Sequence, residues 1–376
     1  MSPIAIDQTD HQEAHQPSKA EAFLGIYKEQ ANDPNAYNRK LEEEGSEDVP
    51  KATYQNYLPT FNPTQKYPPL KPFTHVERGI FADKSFPELL NPSVQVENLT
   101  PTIGTTISGI QLSSLSDAGK DQLALLCSER KVLHFLDQDF ASLPIAKALE
   151  FGSHFGRHHI HPTSGSPEGY PEVHLVYRGA NEAPGAAILE GRTSTTAWHS
   201  DVSYEEQPPG TTILYILDKP STGGDTIFVD QVEAYRRLSS DFRERLRGLK
   251  VVHSGIEQVN ASKARGSICR REPVASVHPI VRTHPATGDK ALFVNPQFMR
   301  QVVGWKKEES DMLLQFLNNH IVTGADFQVR VKWQANSVVI FDNRVTSHSA
   351  LLDWTNGQRR YLARITPQAE KPFESY

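Results

Sequence analysis

His199 and Asp201 stand two residues apart in the run WHSDV at 198–202, and an imidazole and a carboxylate at that spacing can grip one metal ion. On an extended segment, side chains two residues apart share a face, so both would point the same way. Such triplets arise by chance, and the pair alone is a weak signal. A second element strengthens it. The run FDNRVTSH at 341–348 ends in His348, and two histidines with one carboxylate form the facial triad that leaves neighbouring positions of a non-haem Fe(II) open. Beyond it, Arg360 falls on an expected strand, where its planar guanidinium can take a carboxylate through two parallel hydrogen bonds. Arg364, four residues on, shares that strand face, and Arg359 faces away.

The elements that must position these groups read as short β-prone runs punctuated by Gly, Pro and Asp. Strands are expected at 102–110, 131–136, 172–177, 197–204, 211–217, 225–229, 249–254, 278–283, 290–294, 327–333, 337–341 and 360–366. Helices are expected at 117–130 behind Ser116, at 145–154, from Asp230 to Leu238, at 240–246 and at 308–320. Arg243, Arg245 and Arg247 on the fourth of these read as a solvent face. The pattern is mainly β with peripheral helices, as in a sandwich or jelly roll. A doubly wound α/β domain is disfavoured, because regular helix–strand alternation is missing and GGDT at 223–226 lacks the spacing of a phosphate-binding loop.

With 376 residues and 38% hydrophobic content, the chain can bury one large core or two modest ones. The formal net charge of −6 comes from the first sixty residues, which hold eleven acidic and five basic side chains. The balanced remainder gives no footprint for nucleic acid. Residues 1–90 read as a polar, acidic, proline-containing leader, partly disordered or wrapping, and residues 91–376 as the catalytic domain. Cys127 and Cys269 have no ligand spacing, which fits a reducing compartment, the cytoplasm. Neither a signal peptide nor a membrane span is expected, and a homo-oligomer is left open.

The ordered runs WHSDVSYEEQPP, GGDTIFVD, HPIVRTHPATGDKALFVN and FDNRVTSHSALLDW followed by RRYLARITP resemble the Fe(II)/2-oxoglutarate-dependent taurine dioxygenase family, closest to its fungal sulfonate dioxygenase branch. The resemblance runs from about Val94 to Thr366. It implies a double-stranded β-helix, the cupin-like jelly roll, with Fe(II), 2-oxoglutarate and dioxygen as cofactors. His199, Asp201 and His348 would be the iron ligands, and Thr226 and Arg360 would hold the distal carboxylate of 2-oxoglutarate. His161, Thr195, Val202 and Arg364 would meet a small anionic substrate. An alkyl sulfonate such as taurine is the first choice, hydroxylated and then released as sulfite and aldehyde, with succinate and CO2 as co-products.

In FGRHHIHP at 155–162, the resemblance puts His159 and His161 on the substrate side, while His158 reads as a surface residue. Trp198, Phe228 and Trp354 are candidate pocket walls. Two departures matter. Thr195 stands where bacterial taurine enzymes carry asparagine, and DWTNGQ at 353–358 is one residue longer, so that Arg360 rather than Arg359 takes the clamp role. An amino acid or other carboxylate therefore stays open as substrate. A catalytically silent cupin-like binding module is the reading from a different class.

Overall fold

The computed structural model describes residues 51–62, 64–180, 184–264, 267–355 and 357–375; residues 1–50 of the expected leader lie outside them. Among the described residues the strands are β1 (Gln95–Asn98), β2 (Thr105–Ser108), β3 (Val132–Phe135), β4 (Val173–Arg178), β5 (Thr211–Asp218), β6 (Thr226–Asp230), β7 (Lys250–Ser254) and β8 (Ala275–Pro279). They continue as β9 (Val281–Thr283), β10 (Lys290–Leu292), β11 (Met299–Val302), β12 (Gln328–Val331), β13 (Val338–Asp342), β14 (Thr346–Ala350) and β15 (Arg360–Ile365). The helices are α1 (Asp117–Arg130), α2 (Ile145–Ser153), α3 (Pro184–Gly191), α4 (Gln231–Arg236), α5 (Ser240–Leu246), α6 (Ile256–Ala264) and α7 (Lys307–Thr323).

A seven-stranded sheet ordered β1-β2-β3-β13-β5-β15-β4 packs on a three-stranded sheet ordered β12-β6-β14. Strand alternation sorts the side chains of the large sheet. Leu214, Ile216, Val339, Phe341 and Leu362 point inward to meet Phe228, Val329 and Val331 of the small sheet. Ile213, Tyr215, Val338, Ile340, Tyr361, Ala363 and Ile365 point outward, under Leu123, Leu126 and Cys127 of α1 and Ala148 and Phe151 of α2. Each fully buried side chain of this size contributes about 1.5–3 kcal/mol. On β15 the alternation places Arg360 and Arg364 on the same inward face as Leu362.

Helix starts follow their caps. Ser116 Oγ accepts the Gly119 N–H at 3.0 Å, and Asp230 Oδ1 accepts those of Val232 at 2.9 Å and Glu233 at 3.0 Å. Described residues before β1 pack on the core. Tyr57 is fully buried and its hydroxyl meets that of Tyr215 at 3.1 Å, while Glu77 pairs with Arg344. No described helix is long and apolar enough to cross a membrane.

Two strand expectations need correction. The 278–283 run is split at Ile280 between β8 and β9, because the segment changes sheets there. The 197–204 run is no strand: His199 makes a single bridge with His348, and the chain then turns through residues 201–204, with Val202 at φ +38°. Helices α3 and α6 and strands β1, β11 and β14 lie outside the ranges expected from the sequence.

Candidate active site

The bridge between His199 and His348 sets the metal group. The backbone N–H of each donates to the carbonyl of the other, at 2.9 and 2.7 Å, so the two imidazoles sit side by side with ring centroids 4.3 Å apart. The turn that follows brings Asp201 back beneath them, its N–H held by Asn343 Oδ1 at 2.7 Å. Asp201 Oδ1 lies 3.6 Å from His199 Nε2 and 3.7 Å from His348 Nε2. One ligand atom from each residue falls within 4.8 Å of the others. Across β14 and β6, Phe228 is the direct partner of His348, its ring 5.6 Å away.

The donor set fits a non-haem Fe(II). His199 Nδ1 is 2.7 Å from the Ala197 carbonyl, which only accepts, so Nδ1 carries the proton and the Nε2 lone pair faces Asp201. Asp201 Oδ2 and His348 Nδ1 are buried and have no hydrogen-bond partner among the described residues. Burial, and after it His199 and Arg364, pushes the His348 imidazole down to about 3, so it stays neutral and able to ligate. Burial alone would raise the Asp201 carboxyl, but Arg364 with His348 and His199 holds it well below the usual carboxylate range.

Arg360 is 2% exposed, and no carboxylate lies within ion-pair distance of it among the described residues. Its Nε donates to the Gly224 carbonyl at 2.6 Å and one terminal nitrogen to Thr226 Oγ1 at 3.2 Å. Gly224 sits at φ +72°, and an added Cβ would come within 3.1 Å of Arg360 Cδ, so this turn needs glycine. Trp333 Nε1 also donates to Thr226 Oγ1, at 3.1 Å. With two donors on its oxygen, the Thr226 hydroxyl is left to donate its own proton outward. Burial first and Arg178 second pull the Arg360 guanidinium down to about 10, still cationic at neutral pH. Arg359 turns the other way, toward Asp218.

Residues 95–366 match the family model for taurine catabolism dioxygenases of the TauD, TfdA family. The chain belongs to this family. It is an Fe(II)/2-oxoglutarate-dependent dioxygenase. It is 44% identical over 328 residues, 86% of this chain and 80% of the relative, to an alpha-ketoglutarate-dependent sulfonate dioxygenase of Saccharomyces cerevisiae. It is 39% identical over 344 residues to the alpha-ketoglutarate-dependent dioxygenase cnsP of Penicillium expansum, spanning 90% of this chain and 91% of the relative. Among solved structures, a taurine dioxygenase from Burkholderia xenovorans superposes with a TM-score of 0.61 at 32% identity, covering 75% of this chain and 93% of that one.

Arg364, expected from the sequence to meet the substrate, does not stand free. One terminal nitrogen donates to Asp201 Oδ1 at 2.7 Å and the other to His174 Nδ1 at 2.7 Å. His161 is buried near Arg364, its Nδ1 2.9 Å from Ser164 Oγ and its ring 4.4 Å from that of His174. Thr195 is half-buried, its hydroxyl accepting from the Leu352 N–H at 3.4 Å. Other sequence expectations move. Val202 packs its side chain with Tyr204 and Phe298 in a small cluster of its own. His159 pairs with Glu205, itself bound by Arg271. His158 is half-buried rather than superficial, because its Nε2 bonds the Leu149 carbonyl at 2.8 Å. Trp198 packs with Val229, Ala234 and Leu317 in a second core, whereas Phe228 does wall the triad. Trp354 is buried and its indole N–H donates to the Gln358 carbonyl at 2.9 Å. Sequence reasoning missed His174 and Ser164, which join the site only through the β4–β15 pairing and the loop before β4.

Proposed function

We propose that this dioxygenase oxidises the C–H bond beside the sulfonate of a small alkyl sulfonate. The buried, ion-paired Arg364 next to the triad carries the reading, because a guanidinium there can exchange part of its contact with Asp201 for an incoming anion. The Saccharomyces cerevisiae relative named for sulfonate chemistry supports the sulfur oxyanion over a carboxylate. Taurine is one member of the class.

In this reading His199, Asp201 and His348 would hold Fe(II), and Thr226 and Arg360 would receive the distal carboxylate of 2-oxoglutarate. When bound, the metal with 2-oxoglutarate and dioxygen supplies oxidation of an unactivated C–H bond, with succinate and CO2 as co-products. The chain's own residues do the positioning. Arg360 forks onto one carboxylate while the Thr226 hydroxyl donates to it, which fixes the co-substrate from its far end. Arg364 and His161 fix the substrate anion, so that the adjoining carbon faces the triad. Phe228 and Phe341 close the inner wall against water. A carbon bearing both a new hydroxyl and a sulfonate then collapses: the C–S bond breaks, the hydroxyl oxygen becomes the aldehyde carbonyl, and its proton leaves with sulfite. The two free, buried thiols of Cys127 and Cys269 are in keeping with a cytoplasmic setting.

A panel of alkyl sulfonates and matched carboxylates, scored together for succinate and sulfite, tests this. The expected result is sulfonate-dependent succinate with one sulfite per succinate. Succinate release driven by the carboxylates, without sulfite from any sulfonate, would overturn it.

A further inference from the structure

Arg364 and His174 are direct partners across the β15–β4 ladder, both on the inner face of the large sheet. A guanidinium only donates, so His174 Nδ1 accepts at 2.7 Å and its proton sits on Nε2. That Nε2–H lies 3.1 Å from Ser164 Oγ, which it meets as donor. The Ser164 hydroxyl is then turned to His161 Nδ1, 2.9 Å away, and the Thr163 backbone N–H reaches the same nitrogen at 3.2 Å. His161 Nδ1 is therefore an acceptor and its ring proton is on Nε2, for which no described residue provides a hydrogen-bond partner. Burial, followed by His159 and Arg364 for His161 and by Arg364 and His161 for His174, keeps both imidazoles neutral.

We propose that His174 and Ser164 are positioning residues of the substrate-anion site, a relay from Arg364 that locks His161 as a neutral Nε2–H donor toward the substrate's acidic group. The inference rests on the reading of Arg364 and His161 as the anion site. The relay gives the site two donors of fixed direction, one charged and one neutral, on either side of the anion. It also couples them: a shift of Arg364 moves His174 and, through Ser164, the ring of His161. Without the Ser164 hydroxyl, His161 Nδ1 keeps only the longer contacts from Thr163, its backbone N–H at 3.2 Å and its hydroxyl at 3.5 Å, and the ring loses its link to His174 and can turn away from the anion.

Two measurements test it. Imidazole nitrogen NMR of the full chain should show Nε2–H tautomers for both His161 and His174; an Nδ1–H tautomer at His161 would overturn the relay. Ser164→Ala should raise KM for the sulfonate about tenfold, the worth of the hydrogen bond from His161 to the charged substrate group, while KM for 2-oxoglutarate holds. Ser164→Thr, which keeps the hydroxyl, should restore the sulfonate KM. An unchanged sulfonate KM in Ser164→Ala, or equal rises in both KM values, contradicts the relay. If instead Arg364→Ala leaves the sulfonate KM unchanged, the anion-site reading itself fails, while the tautomer spectrum still reads the relay independently.

Discussion

Arg359 and Arg360 adjoin in sequence and part in the fold, since strand alternation sends one outward to Asp218 and the other inward to Thr226. Arg360→Lys removes the planar fork but keeps the charge, so KM for 2-oxoglutarate should rise tenfold or more, and Arg359→Lys should leave it in place. Steady-state kinetics on the pair checks this, and the reverse pattern would move the clamp by one residue. Asp201→Ala should abolish turnover and bound iron together, measured by succinate release and metal analysis; iron retained at wild-type content would contradict the ligand set. These side chains stood out in the sequence because the chemistry proposed for each needs its residue type. The backbone that carries them was less so. A β-branched Val202 at φ +38° runs against residue preference, and nothing in WHSDV announces the turn that swings Asp201 under the imidazoles. His174 was invisible for another reason: its contact with Arg364 spans 190 residues and depends on which two strands pair.

At the scale of elements, the turn at Gly223 and Gly224 delivers a carbonyl to Arg360, and the segment before β1 closes the back of the large sheet. Both glycines have positive φ, +81° and +72°, and the Gly224 N–H is held by Asp353 Oδ1 at 2.8 Å. Gly224→Ala should strain the turn and displace Arg360, raising KM for 2-oxoglutarate severalfold while the sulfonate KM changes little. Equal changes in both would show that the turn does not serve the clamp. The wrapping segment is structural. Tyr57→Ala empties a fully buried site and should cost about 3–5 kcal/mol in urea denaturation; a loss under about 1 kcal/mol would mean the segment only lies on the surface. Helix starts were legible from Ser116 and Asp230, whose caps are local chemistry. Strand β14, which carries His348, was not, because TSHSA lacks apolar alternation and is held by its pairing with β6.

For the molecule as a whole, a sandwich or jelly roll was readable from many short punctuated strands and the family resemblance narrowed it to the jelly roll, whereas the order of strands in its sheets follows from packing that no local run encodes. Its core also stores a pH response. Burial pushes His134 and His278 from 6.5 down to about 4, so each is neutral when folded and takes up a proton on unfolding below pH 6.5. Stability contributed this way is present above pH 6.5 and is lost as pH falls toward 4. These two alone should contribute about 3–4 kcal/mol between pH 7 and 5, a floor for the loss read from urea denaturation of chelator-treated protein, because burial pushes His161, His174 and His253 the same way. A flat profile would show that these rings are protonated in the fold. The central claim, that an anion site built on Arg364 faces the metal triad, is tested most directly by Arg364→Ala kinetics with an alkyl sulfonate. The account predicts a sulfonate KM raised about a hundredfold or more with KM for 2-oxoglutarate nearly unmoved, and an unchanged sulfonate KM would contradict it.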